Sequence, residues 1–137
     1  MALTYLVDTS VLKRLGRPEV RDVIGPLAAT GQLGRPTNCD LEVGYSARNS
    51  EERARLIHAL GAFDEVPTTA EHVTRALQVQ RLLAQGSQRG RKIPDLLIAA
   101  AAEALGVTVL HYDADFDLIA SVTRQRCTWV VPAGSVD

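Results

Sequence analysis

Five acidic residues stand where carboxylates could act as a group. Asp8 ends the apolar run Leu3-Thr4-Tyr5-Leu6-Val7, and Asp113 follows a second run, Val107 to Leu110. Asp95 directly precedes Leu96-Leu97-Ile98, so a helix beginning there is pressed against the core. Glu42 lies in a helix-like segment, and Asp115 comes two residues after Asp113. Each alone has a plain structural use: Asp8 as a turn former, Asp95 as a carboxylate in a first helical turn, Asp115 as a helix cap. Taken together they imply more. Carboxylates converging on one rim repel one another and bind protons more tightly unless a cation neutralises them. Hard oxygen donors suit Mg²⁺ or Mn²⁺, which keep positions for water and for a substrate phosphate. Such an ion acidifies a bound water, holds it in line and neutralises charge on a phosphodiester, so the pattern points to metal-dependent phosphodiester hydrolysis without a protein nucleophile. Ser10 has no histidine near it in sequence, and His58, His72 and His111 have no catalytic spacing.

Competing motifs fail on particular residues. Asp113-Ala114-Asp115-Phe116-Asp117 begins like an EF-hand loop, but Leu118 stands where glycine is needed and Arg124 where the closing glutamate belongs. Val7-Asp8-Thr9-Ser10 lacks the second aspartate, two residues on, of haloacid-dehalogenase-type phosphatases. No nucleotide P-loop run occurs. Cys39 and Cys127 lie far apart without zinc-ligand spacing and read as reduced thiols, Cys127 packed in the core. The net charge of −1 means that any attraction to a polyanion must come from a local basic surface. No apolar stretch approaches the roughly 20 residues of a membrane helix, and Met1 to Val7 reads as a strand rather than a signal peptide, so a cytoplasmic protein is expected.

The elements that would position these residues alternate. Leu3 to Val7 reads as a buried strand, followed by a short helix capped by Ser10 and a second helix from Pro18 to about Thr30. Gln32 to Thr37 is a candidate strand, and Asn38 or Asp40 caps a helix carrying Glu42 and Val43 through Ala47. Ser50 precedes a helix to Leu60, and Phe63 to Val66 is a third strand. Thr68 and Glu71 have capping-box spacing and open a long helix whose expected inner face is Val73, Leu77, Val79, Leu82 and Leu83. Gly86 to Lys92 is a polar loop; Pro94 opens a helix that is apolar nearly all round and closes at Gly106. Val107 to Leu110, a helix from Phe116 to Ser121, and a strand from Trp129 to Val131 complete the chain. Strand–helix alternation over 137 residues implies a single α/β domain, a parallel sheet covered on both faces. In such folds ligands collect at the carboxyl ends of the strands, where Asp8 and Asp113 would both emerge.

At this point the chain resembles a known family, the PIN domains. The carrying segments, in order, are Val7-Asp8-Thr9-Ser10-Val11-Leu12, Asp40-Leu41-Glu42-Val43, Ile93-Pro94-Asp95-Leu96-Leu97-Ile98-Ala99-Ala100-Ala101-Ala102, and Leu110-His111-Tyr112-Asp113-Ala114-Asp115-Phe116-Asp117. The resemblance implies a PIN-like three-layer α/β/α sandwich around a short parallel sheet, with an acidic pocket holding Mg²⁺ or Mn²⁺ for endoribonucleolytic cleavage. At this length it implies a VapC toxin, silenced by a cognate VapB-type antitoxin, homodimeric, and acting on structured RNA such as tRNA or rRNA. By the same resemblance Asp8, Asp95 and Asp113 would ligate metal, Asp115 would assist, Glu42 would help position the attacking water, and Ser10 would support the pocket through its hydroxyl. A basic antitoxin side chain entering the pocket would inhibit by competing with metal. Of the basic residues, Arg89, Arg91 and Lys92 precede Asp95 in a loop and could clamp RNA phosphates, as could Arg14 and Lys13, one helical turn after Asp8. The other readings are a housekeeping RNA-processing nuclease with the same chemistry and a PIN-like module that binds RNA or protein without catalysis.

Overall fold

Strands whose neighbouring side chains point to opposite faces need cover on both sides. In β1 (Tyr5–Val7) both Leu6 and Val7 are fully buried, yet they belong to different cores. Val109 and Leu110 divide in the same way in β4 (Thr108–His111). The computed structural model describes residues 2–88 and 92–137. Within them follow α1 (Thr9–Leu12), α2 (Pro18–Ala29), β2 (Leu33–Pro36), α3 (Thr37–Ser46), α4 (Ser50–Ala59), a 3₁₀ turn (Leu60–Ala62), β3 (Asp64–Val66), α5 (Ala70–Gln85), α6 (Ile93–Leu105), β4, α7 (Asp115–Thr123) and β5 (Cys127–Trp129). All strand pairs are parallel, in the order β3-β2-β1-β4-β5. Leu6 and Val109 pack with Val79, Ile98 and Phe116 of α5, α6 and α7; Val7 and Leu110 pack with Val11, Val20 and Cys39 of α1, α2 and α3. The expected three-layer α/β/α sandwich is what forms.

Helix α6 is the most heavily buried, as its nearly continuous apolar sequence requires; Ile98 through Ala102 are all buried. Gly106 ends it at φ +70°, a left-handed conformation that a β-carbon would strain. Both cysteines are free thiols, and burial pushes each up to about 12.

Several local expectations shift. The capping box of α5 is formed by Thr69 and His72, not Thr68 and Glu71: Thr69 Oγ1 accepts from the His72 amide, and His72 Nδ1 accepts from the Thr69 amide, each at 3.2 Å. One residue of offset turns a helix by about 100°. His72, Ala76, Val79 and Leu83 therefore face inward, while Val73 and Leu77 are exposed at 45% and 61%. At the head of α1 it is Asp8, not Ser10, that caps. Helix α3 begins at Thr37, so neither Asn38 nor Asp40 caps it: both lie inside the helix, the cap position is Pro36 without a side-chain cap, and Asp40 pairs with Arg35. Strand β5 ends at Trp129, but Val130 and Val131 are still buried, and the Val130 amide donates to the His111 carbonyl at 2.8 Å.

Candidate active site

β1 and β4 are neighbours at the point where the strand order reverses, with β2 and β3 to one side and β5 to the other. The chain leaves these two strands in diverging directions, which opens a crevice at their carboxyl ends. Asp8 is the first residue after β1, and Asp113 comes two residues after β4. A short network clips the two loops together. The Asp8 amide donates to the Leu110 carbonyl at 3.0 Å. Ser10 donates to Asp8 Oδ2 from its hydroxyl at 2.6 Å and from its amide at 3.0 Å, and the same hydroxyl oxygen accepts from the Tyr112 amide at 2.9 Å.

Helix α6 brings in the third carboxylate. Pro94 suits a first helical turn, so Asp95 enters near the positive helix end with its side chain directed to the crevice mouth. It is buried, and its Oδ2 has no hydrogen-bond partner among the described residues. Oxygens of Asp95, Asp113 and Asp115 lie within 4.8 Å of one another. Asp113 Oδ1 accepts from the Asp115 amide at 2.9 Å, and its Oδ2 accepts from Lys92 Nζ at 2.6 Å. Glu42, half-buried on α3, approaches Asp8 closely enough for the two charges to repel, and its buried Oε1 also lacks a partner among the described residues.

The electrostatics follow from this crowding. Burial, then the charges of Asp8 and Asp113, push Asp95 up to about 8. Asp8 is raised by burial, against which its Ser10 hydrogen bonds act. Glu42 is raised by burial and then by Asp8. Burial also pushes Asp113 upward, but the Lys92 ammonium and the Asp115 amide outweigh it and hold that carboxyl below the usual range. Three carboxyls thus bind protons more tightly than usual, and the fourth stays ionised beside a lysine. Buried oxygens without partners are costly. A donor set made wholly of carboxylate oxygens, two of them unsatisfied, fits a hard divalent cation.

His111 is fully buried between the rings of Phe116 and Trp129, at 4.8 and 5.0 Å, and burial lowers it to about 4. Its Nδ1 accepts from the Asp113 amide at 3.2 Å, so it supports the acidic loop as a neutral ring. Of the basic residues singled out in the sequence, Lys92 is in the pocket. Arg14 lies beside it, its guanidinium carbon 4.6 Å from the centre of the Tyr112 ring. Arg89 and Arg91 lie outside the described residues. The sequence pattern gave no weight to Arg17 or Asp137, which meet next to Arg14; the Arg14–Arg17 spacing was the only available signal.

The PIN domain family model matches residues 5–122, from β1 into α7. This chain belongs to the PIN-domain family. The PIN-domain chain is 65% identical to Ribonuclease VapC51 of Mycobacterium tuberculosis (strain ATCC 25618 / H37Rv), over the full length of both. It is 42% identical to Ribonuclease VapC21 of the same strain, covering 98% of this chain and 99% of that one. Among solved structures, a DNA-bound VapBC from Salmonella typhimurium superposes with TM-score 0.76 at 14% identity, covering 94% of this PIN-domain chain and 99% of the other. A toxin–antitoxin complex from Klebsiella pneumoniae does so with TM-score 0.73 at 20% identity, covering 93% and 98%. At those identities the superpositions establish the fold.

Proposed function

We propose that this PIN-domain protein is a metal-dependent endoribonuclease and the toxin of a VapBC-type pair, cutting structured RNA such as tRNA or rRNA and so blocking translation. The observation that carries the reading is the convergence of Asp8, Glu42, Asp95 and Asp113 on one crevice, with Asp95 Oδ2 and Glu42 Oε1 left without partners among the described residues. The full-length identity to proteins named as VapC ribonucleases supports it.

Asp8, Asp95 and Asp113, with Asp115 beside them, would hold Mg²⁺ or Mn²⁺, which would supply an acidified water and charge neutralisation at the phosphodiester. The chain's own groups do the rest. Glu42, with its raised proton affinity, is suited to orient the attacking water and accept its proton. Ser10 fixes the Asp8 carboxylate. Lys92 is within reach of the pocket to bind a phosphate oxygen once Asp113 is otherwise neutralised. Hydrolysis by water leaves a 5′-phosphate and a 3′-hydroxyl.

The Lys92–Asp113 pair also supports inhibition by a VapB-type antitoxin, since it puts an ammonium where an antitoxin's basic side chain would compete with metal. Exposed Leu77 and Ile93, on adjoining helices α5 and α6, support a homodimer. No helix among the described residues is long and apolar enough to cross a membrane, and action on tRNA or rRNA would place the protein in the cytoplasm.

The test is cleavage of a structured RNA with Mn²⁺, comparing wild type with Asp95→Asn. Cutting that vanishes in the variant and with chelator supports the assignment; equal cutting by both ends it. Growth arrest on expression, relieved by the neighbouring gene product, separates a toxin from a housekeeping nuclease.

A further inference from the structure

A second charged feature adjoins the acidic pocket. Lys13, Arg14 and Arg17, with Gly16 between them, line a solvent-open cavity of about 400 Å³ where α1 turns into α2. Asp137 sits in its mouth. Arg14 Nε donates to the Asp137 main-chain oxygen at 2.6 Å, and the Arg17 guanidinium pairs with the Asp137 carboxylate. The segment is steered there by Tyr112, whose hydroxyl donates to the Val136 carbonyl at 2.8 Å and accepts from the Val136 amide at 3.2 Å.

Three observations give the cavity a direction. Arg14 is anchored on the catalytic side: its NH1 donates to the Ser10 carbonyl at 2.7 Å, and Ser10 in turn holds Asp8. Lys13 is near enough to Glu42 to stabilise that carboxylate. Arg14 and Arg17 both meet Asp137, and Lys13, shared with Glu42, lines the same cavity, a cluster of cations that a polyanion would fill better than Asp137 does. Guanidinium forks match phosphate oxygens in pairs. An ion pair as exposed as Arg17–Asp137, with side chains 46% and 91% accessible, is weakly held and easily displaced.

We infer that Lys13, Arg14 and Arg17 form a subsite for a backbone phosphate of the RNA next to the scissile one, and that Asp137 occupies it in the free protein as a carboxylate stand-in that RNA must displace. The inference rests on the ribonuclease reading above for the identity of its ligand. Asp137 is thereby a brake on substrate entry, and the subsite orders the strand so that the neighbouring linkage lies over the carboxylates.

Binding of a fluorescein-labelled single-stranded RNA in EDTA, where no cutting occurs, is the test, with Mn²⁺-dependent cleavage measured in parallel. Arg17→Gln should weaken binding about tenfold and flatten the salt dependence by about 0.7 in log–log slope, one phosphate contact's worth. Asp137→Asn should tighten binding a few-fold. Both side chains are solvent-exposed, and matching thermal melts will exclude misfolding. Unchanged RNA affinity in Arg17→Gln, or weaker affinity in Asp137→Asn, overturns the subsite even where wild type cuts RNA normally. Altered binding in both variants with no Mn²⁺-dependent cutting by wild type leaves the subsite standing and sinks the nuclease instead. A labelled hexaglutamate peptide that binds wild type when RNA does not identifies an acidic protein partner and overturns the RNA assignment.

Discussion

Asp40 and Glu42 stand two residues apart on the same helix and meet opposite surroundings. Asp40 is gripped by the Arg35 fork, at 2.9 and 3.2 Å, and that guanidinium also donates to the Phe63 carbonyl at 2.6 Å. One arginine thus ties β2, α3 and the start of β3. The Arg75 fork holds Glu103 likewise, at 2.7 and 3.2 Å, and joins α5 to α6. Glu42 instead turns toward Asp8, and beyond it Asp95 faces two further carboxylates. Side chains of one chemical type therefore divide by what answers them. Where a guanidinium does, the carboxylate holds elements together. Where other carboxylates do, the group is left under electrostatic tension that a cation relieves, which is how sites for ligands differ from joints in the scaffold.

The contrast can be broken first at Asp95. Asp95→Asn should cut Mn²⁺-dependent RNA cleavage by about 10²- to 10³-fold, the size of several kcal/mol of lost transition-state stabilisation. The metal-free melting temperature should stay level at neutral pH, where Asp95 already holds a proton, and rise above about pH 8, where the substitution removes a repelling buried charge. A variant that melts far lower would mean that Asp95 is a joint after all.

Varying pH sharpens the same point. Asp95 titrates near 8 in the folded chain against an ordinary 3.8, so between those values the folded state keeps a proton that the unfolded state has lost. Stability without metal should then fall as pH rises from about 4 to 8, by up to about 1.4 kcal/mol per unit, and level off above. Glu42 and Asp8, also raised, act in the same direction; Asp113, held low, contributes stability that is lost only in acid. Scanning fluorimetry at pH 5.5 and 8 should show the decline, and Mn²⁺ should restore more at pH 8 than at 5.5.

Asp40→Ala should do the reverse of Asp95→Asn. It strips the half-buried Arg35 of its partner, at a cost of about 1–3 kcal/mol in chemical denaturation, with cleavage per folded molecule within twofold of wild type. Smallest of all, Glu103→Gln should lower stability by under about 1 kcal/mol, since that pair is about one-third exposed, and leave cleavage unchanged.

Much of the site was legible because its residues border strong local signals. Asp8 and Asp113 end apolar strands, Asp95 opens the most apolar helix, and the architecture follows from the alternation of short runs with helices. Less legible was anything set by how a helix rotates. The capping-box spacing at Thr68 and Glu71 is genuine but loses to Thr69 and His72, and that one-residue offset leaves Val73 and Leu77 on the outside. The burial of His111 in an aromatic pair was equally hidden, because Phe116 and Trp129 reach it from separate elements.

Sequence alone determined which carboxylates stand at the ends of core-forming runs and that the sheet must be covered on both faces, because periodicity and hydrophobicity act over a few neighbouring residues. Tertiary structure decided that Asp40 answers Arg35 while Glu42 answers Asp8, that Lys92 reaches Asp113, and that Asp137 comes to rest on Arg14 and Arg17. Charges act through space, and partners as much as 123 residues apart become neighbours only once the strands have paired.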